Sequence, residues 1–302
     1  MSALARPSME DAPGGPAAGR ATSRPPRGHG PNFARVVTSE WTKLTSLRST
    51  AMISVATVVV TWALTYLAAN ASSVDPGFVP LDSLTTGLLL AQVGPLVLGI
   101  LAGTGEFTTG TFRSTFTAVP QRLPVLAAQV VAAGAFALLV AAATVGAAVA
   151  ALVPAASSRG ISLDLTADGT PQVMVGMTTY LVAMALLGLA VGALLRSPVP
   201  AIALTVVLVL VLPVLLSLGS ELATGPTSAP VAADVPSQQS VVNTVVTFLP
   251  SGAADLLVRA PGSSGIEGAP DLGPRVGALV LAGWILLPLT AAAVRLRARD
   301  VA

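Results

Sequence analysis

The 302-residue sequence predicts an all-α polytopic membrane protein with six transmembrane helices, and three observations lead there. Only 10% of the residues are charged while 53% are hydrophobic, with a mean hydropathy of +0.79. A soluble domain carries roughly 25% charged residues, enough to cover itself in water, so a large water-soluble core is excluded. The apolar residues gather in long uncharged stretches of Ala, Val and Leu, where a lipid-facing barrel would show alternating segments of about ten residues. Arginine and lysine, finally, fall almost entirely on one side of those stretches.

Residues 1–32 combine Pro, Gly, Ala, Ser and Arg without apolar periodicity and predict a disordered cytoplasmic tail. No apolar core of a signal peptide occurs among them. Residues 33–302 read as one transmembrane domain. It opens with Phe33, Val36, Val37, Trp41, Leu44 and Leu47, which fall within an arc of roughly 140° when wound as a helix. Arg35, Ser39, Thr42 and Ser46 lie opposite. This pattern predicts an amphipathic interface helix on the cytoplasmic face, with Trp41 at the headgroup level. Two readings of it stay open: it docks on lipid alone, or its far side meets another protein. Glu40 intrudes into the apolar arc and needs a partner, which Lys43 one turn later can supply.

The six spans are expected at about Thr50–Asn70, Leu84–Gly103, Pro124–Val153, Val173–Leu195, Val199–Leu218 and Val276–Val294. Each is near or above the roughly 20 residues that cross a bilayer, and the third exceeds that length, so it tilts or protrudes. Arg196, Ser197 and Pro198 leave room only for a tight turn between the fourth and fifth. With the N-terminus inside, the cytoplasmic side holds thirteen of the sixteen basic residues and the outer side nine of the fourteen acids. That asymmetry predicts both termini in the cytoplasm. The outer segment near 240–260 carries apolar Val241–Leu249 and Leu256–Val258 around Pro250, Ser251 and Gly252. Each half is too short to span, which predicts a re-entrant hairpin of two half-helices, or else a subdomain above the membrane.

Several function classes fall away. There is no cysteine, and the single histidine, His29, lies in the tail. Thiolate and histidine-based metal sites, disulfides and cysteine nucleophiles therefore have no residues to build on. No expected span contains Asp, Glu, Lys, Arg or His, whereas ion-coupled carriers place ionisable groups near the midplane. No Gly-x-x-x-x-Gly-Lys-Ser/Thr loop surrounds Lys43, the only lysine, so the chain has no phosphate-binding loop of its own. An enzyme is not expected, and nucleotide-driven work would need a partner chain. The pairs Gly99/Gly103 and Gly188/Gly192 allow close helix approach, which we read first as packing within the chain and second as a dimer seam. Gln92, Pro95, Gln129, Thr144 and Pro213 lie within spans, where they either line a route or kink and bond neighbouring helices.

The inner loop after the second span reads GTGEFTTGTFRSTFTAVPQR. Wound as a helix it places Glu106, Arg113 and Thr117 on one side and Phe112, Phe116 and Val119 on the other. A short amphipathic helix lying flat inside the cell is expected from Gly103, ended by Pro120. It is either a linker or a coupling element that a cytoplasmic motor could push.

Three stretches carry a resemblance. TSEWTKLTSLRST before the first span is similar to the N-terminal signature of actinobacterial permease subunits of the type-two ABC exporter class. GEFTTGTFRSTFTAVPQRLPVLAAQ resembles that family's Glu-x-x-x-Gly-Thr stretch, and TVVTFLPSGAADLLV resembles its Leu-Pro hairpin. With the six-span layout, the resemblance covers nearly everything after residue 33. It implies a multi-pass plasma-membrane permease that dimerises with itself or a related chain and binds cytoplasmic ATPase subunits. Those partners would hold ATP and magnesium, and this chain would hold no cofactor and bind no nucleic acid. The resemblance assigns Glu106, Phe107, Thr108, Thr109, Gly110, Thr111, Arg113 and Ser114 to the ATPase-coupling helix. Glu40, Trp41 and Lys43 go to the interface helix, and Leu249, Pro250, Ser251 and Gly252 to the outer hairpin. Gln129 departs from the family, which often has a lysine there, leaving Arg113 or Arg122 to answer Glu106. The alternative from another class is a membrane scaffold or sensor that anchors a partner without transport.

Overall fold

The computed structural model describes residues 32–108, 122–166, 169–224, 237–260 and 268–298, and among these every regular element is helical. Helix α1 runs Phe33–Ser46, with the Asn32 side chain accepting from the Ala34 amide at 3.4 Å to cap its first turn. Leu47, extended at φ −82° and ψ 124°, separates it from α2, Arg48–Ser72. After a 3₁₀ turn at Pro80–Ser83 come α3, Leu88–Ala91, and α4, Val93–Thr108. The interruption between them falls at Gln92. Pro95 has no N–H to give the Ala91 carbonyl four residues back, and at the same break the Gln92 Nε2 donates to the Leu89 carbonyl at 2.7 Å.

Helix α5, Arg122–Ser158, has 37 residues, which at 1.5 Å per residue is about 55 Å and well beyond a hydrocarbon core. Helix α6, Thr170–Leu195, stops where Arg196 turns left-handed at φ 60° and its amide closes on the Gly192 carbonyl at 2.8 Å. Pro198 then opens α7, Pro198–Val206, with the φ its ring already fixes. A π turn at Val207–Val211 joins α7 to α8, Leu212–Thr224. Helices α9, Ser237–Thr247, and α10, Pro250–Val258, meet at a bend of 80°. Helix α11, Pro274–Ala298, closes the chain.

Among the described residues six segments are long and apolar enough to cross a membrane: Arg48–Ser72, Pro80–Gly105, Leu123–Ser158, Thr170–Leu195, Pro198–Gly219 and Pro274–Arg297. Each expected span lies inside its counterpart, and the protein is a multi-pass membrane protein. The bent pair α9–α10 would make a seventh crossing if it passes through as one broken span.

Helix α6 is the centre of the bundle, packed by α4, α5, α7, α10 and α11. Its apolar window is 67% buried, against 17% for α2 and for α11, so those two turn most of their surface to lipid. Met52, Val55, Val59 and Leu67 on α2 and Leu279, Leu286, Leu287 and Val294 on α11 are exposed. In water such a belt would drive aggregation, whereas hydrocarbon solvates it.

Lipid tails are as apolar as leucine, so close van der Waals fit and hydrogen bonds hold such helices together. Both glycine pairs serve that fit within the chain. A Cβ on Gly99 would stand 1.8 Å from the Ala185 carbonyl oxygen, and one on Gly188 would stand 2.2 Å from that of Leu96. Gly103 and Gly192 continue the same seam, against Leu189 and Ile100. Helix α2 turns its polar face inward: its buried residues are Thr50, Thr57, Thr61, Thr65 and Ala69. Thr57 and Thr61 return their hydroxyls to the carbonyls four residues back, both at 2.8 Å. Gly94 and Gly87 let α4 and its leading turn close over these threonines.

One expectation is corrected. No separate flat helix begins at Gly103, because Gly103–Thr108 continue α4, and the rest of the expected helix, 109–120, lies outside the described residues. GTGEFT contains no proline, and its two glycines weaken the i→i−4 ladder without interrupting it, so the span's helix runs on through it.

Candidate functional site

At the end of the bundle where α2 begins, α1 lies along α5. Trp41 meets Phe136 edge-on, with centroids 6.0 Å apart and planes at 69°. Leu44 joins a second apolar cluster that includes Leu126, Ala133, Leu189 and Leu296. Trp41 and Leu44 thus seat the middle of the apolar arc of α1 on the chain's own bundle, while Phe33 and Leu47 at its two ends stay exposed.

Glu40 is 8% exposed. Its carboxylate accepts from Lys43 Nζ at 2.5 Å, the partner that the spacing predicts. Both residues line a cavity of about 300 Å³ with Leu44, Thr50, Leu98 and Gln129, within the size range of small-molecule pockets. Gln129 is itself buried, so it stands beside the α1 ion pair in this cavity wall. At the same end, Arg295 donates to the Leu194 carbonyl at 2.6 Å, satisfying one of the last orphan acceptors of α6.

The residues assigned to coupling divide. The backbone of Glu106, Phe107 and Thr108 continues α4 at this same end. Thr109, Gly110, Thr111, Arg113 and Ser114 lie outside the described residues, as does Arg122 beyond its backbone.

At the opposite end the two expected half-helices are α9 and α10. Leu249 is extended at ψ 160°, Pro250 takes the first helical position of α10, and both are buried. Trp284 of α11 donates its indole N–H to the Phe248 carbonyl at 2.9 Å and so holds the bend. Gly252 is required there: a Cβ would fall 2.1 Å from the Val246 carbonyl oxygen. Gly176 of α6 meets the Leu257 carbonyl equally closely, which seats α10 against the central helix.

Between this hairpin, α6, α8 and the α3–α4 junction lies a larger cavity, of about 520 Å³. The Tyr180 hydroxyl donates to Gln92 Oε1 at its wall. Ser251 also lines the cavity, and its buried hydroxyl has no hydrogen-bond partner. Asp255 is exposed and supplies the charged side chain of the lining.

Sequence reasoning singled out Gln92 and Ser251 but neither Tyr180 nor Asp255. Gln92 and Tyr180 stand 88 positions apart, and no local period joins them. Asp255 did leave a signal, as the lone charge in the apolar half-helix PSGAADLLV.

No protein-family model matches the chain, and comparison with curated proteins finds no match.

Proposed function

We propose that this chain is the transmembrane permease subunit of an ATP-driven ABC exporter, an efflux component of the plasma membrane. It forms the substrate path and couples to a separate cytoplasmic ATPase that binds ATP and magnesium. It works as a homodimer or heterodimer, with both termini in the cytoplasm, as the placement of arginine and lysine supports.

The observation that carries the reading is the convergence at one end of the bundle. The α1 helix, the final turns of α4 with Glu106, and the tight α6–α7 turn all lie there. Helix α1 is fastened to α5 through Trp41 and Leu44, and α4 is locked to the central α6 through four glycines. A push on this end therefore reaches the middle of the bundle, which suits a subunit driven from outside itself. The absence of charge from the six expected apolar stretches and the missing phosphate-binding loop support the same division of labour.

The test is co-purification with an ABC ATPase encoded beside it, followed by ATP hydrolysis with and without this chain. Glu106→Ala together with Arg113→Ala is expected to lower assembly or stimulated hydrolysis. Unchanged assembly and hydrolysis in that double variant would remove the coupling assignment.

A further inference from the structure

The cavity between α10, α8, α6 and the α3–α4 junction has the composition of a site for one kind of molecule. Leu88, Leu89, Pro213, Val214, Leu218 and Val246 make most of its wall apolar. Its polar side chains are Thr85, Gln92, Tyr180, Ser217 and Ser251, and its charge comes from Asp255. Among the described residues the Asp255 carboxylate makes no hydrogen bond and no ion pair within 4 Å. Arg259, one turn further on, is the nearest compensating charge, and it is drawn toward Asp271 at 3.6 Å.

Gln92 and Tyr180 satisfy each other. The Ser251 hydroxyl does not, and a buried hydroxyl without a partner is unusual enough to ask for one. The wall is also built around irregular backbone. The π turn Val207–Val211 precedes Pro213, which cannot donate to the carbonyl four residues back, and π turns inside helices recur at ligand sites.

We propose that this cavity binds an amphiphile with a cationic head group. Its apolar body lies against the α3 and α8 walls, Asp255 is its counter-ion and Ser251 is a hydrogen-bond partner. An anionic amphiphile of the same shape gains the apolar contacts but is repelled by Asp255. Against a mostly apolar wall, where the effective dielectric constant is below that of water, that difference exceeds its value in bulk water. A volume of about 520 Å³ falls in the range of small-molecule sites. The site belongs to this chain alone and needs no motor to form.

The test uses the full chain in phosphatidylcholine nanodiscs and two probes of matched shape and opposite charge, tetraphenylphosphonium and tetraphenylborate. Saturable binding of tetraphenylphosphonium is expected, with tetraphenylborate showing only lipid partitioning. Asp255→Asn should weaken the cation by about tenfold while leaving thermal unfolding unchanged. Val214→Trp should fill the cavity and abolish saturable binding, and Leu218→Trp is the second filler where Val214→Trp fails to fold. Equal saturable binding of the two ions, or an unchanged affinity in Asp255→Asn, would overturn the counter-ion. Absence of saturable tetraphenylphosphonium binding, or its survival in a folded cavity-filling variant, would overturn the site. Neither result touches the ATPase assembly that tests the transport reading, and failed assembly would leave this binding in place.

Discussion

Two side-chain pairs show how a polar group survives in this bundle. Tyr180 and Gln92 are both almost wholly buried and satisfy one another. Removing one hydroxyl leaves an amide oxygen without a donor, whereas removing both partners leaves none unsatisfied. Tyr180→Phe is therefore expected to destabilise by about 1–3 kcal/mol, and Tyr180→Phe with Gln92→Leu by less than the two single changes added together. A double-mutant cycle of thermal unfolding in detergent measures this. Glu40 and Lys43 differ because the lysine side chain is 46% exposed and the glutamate side chain 10%. Lys43→Met strands a buried carboxylate and should cost about 1–2 kcal/mol, reduced from fully buried pairs by the lysine's exposure. Glu40→Gln removes the charge that needs a partner and should cost less in the same assay. The spacing of Glu40 and Lys43 made this pair legible in the sequence, since i and i+3 share a helix face. The Tyr180–Gln92 bond was not legible, because only the packing of α6 on the α3–α4 junction brings the two together.

Among elements, the seam between α4 and α6 depends on what is missing from four positions. At Gly99 and Gly188 the facing atoms are backbone carbonyls, which cannot rotate aside as a side-chain tip can. Gly188→Leu must push the two helices apart and should destabilise by at least 1–3 kcal/mol. Gly146→Leu, on an exposed face of α5 with nothing within 4 Å of a new Cβ, should leave thermal unfolding unchanged. The sequence displayed both Gly-x-x-x-Gly pairs, but that each faces the backbone of the other's helix required the fold. Helix α2 carries the reverse lesson. Its apolar residues face outward and its threonines inward, because hydrocarbon rewards the burial of hydroxyls and is indifferent to leucine. Helix α4 outruns its expected end for a simpler reason: Gly103–Thr108 contain no proline, so the boundary of the apolar run is not the boundary of the helix.

For the molecule as a whole, the proposed orientation rests on charge placement and can be measured directly. The sequence contains no cysteine, so a single introduced thiol has no background. Leu47 and Val74 flank the two ends of α2 and are both exposed, at 53% and 77%. With the N-terminus in the cytoplasm, a membrane-impermeant maleimide applied to intact cells should label Val74→Cys and spare Leu47→Cys. The opposite pattern would invert the topology and place the convergent end of the bundle outside, beyond the reach of an ATPase. By itself the sequence determined the helical class, the six spans, the Glu40–Lys43 pair and the two-part hairpin around Pro250. Each of these follows from residues near one another in the chain: backbone groups in hydrocarbon must bond within their own segment, and apolar length is read locally. Only the tertiary structure decided that α1 seats on α5, that each glycine pair closes on the other's helix, and that Gln92, Tyr180, Ser251 and Asp255 share one cavity. Those residues come from three separate stretches of chain, and in a bilayer no hydrophobic gradient tells one helix face which neighbour to choose. Close fit chooses, and fit exists only once the helices are assembled.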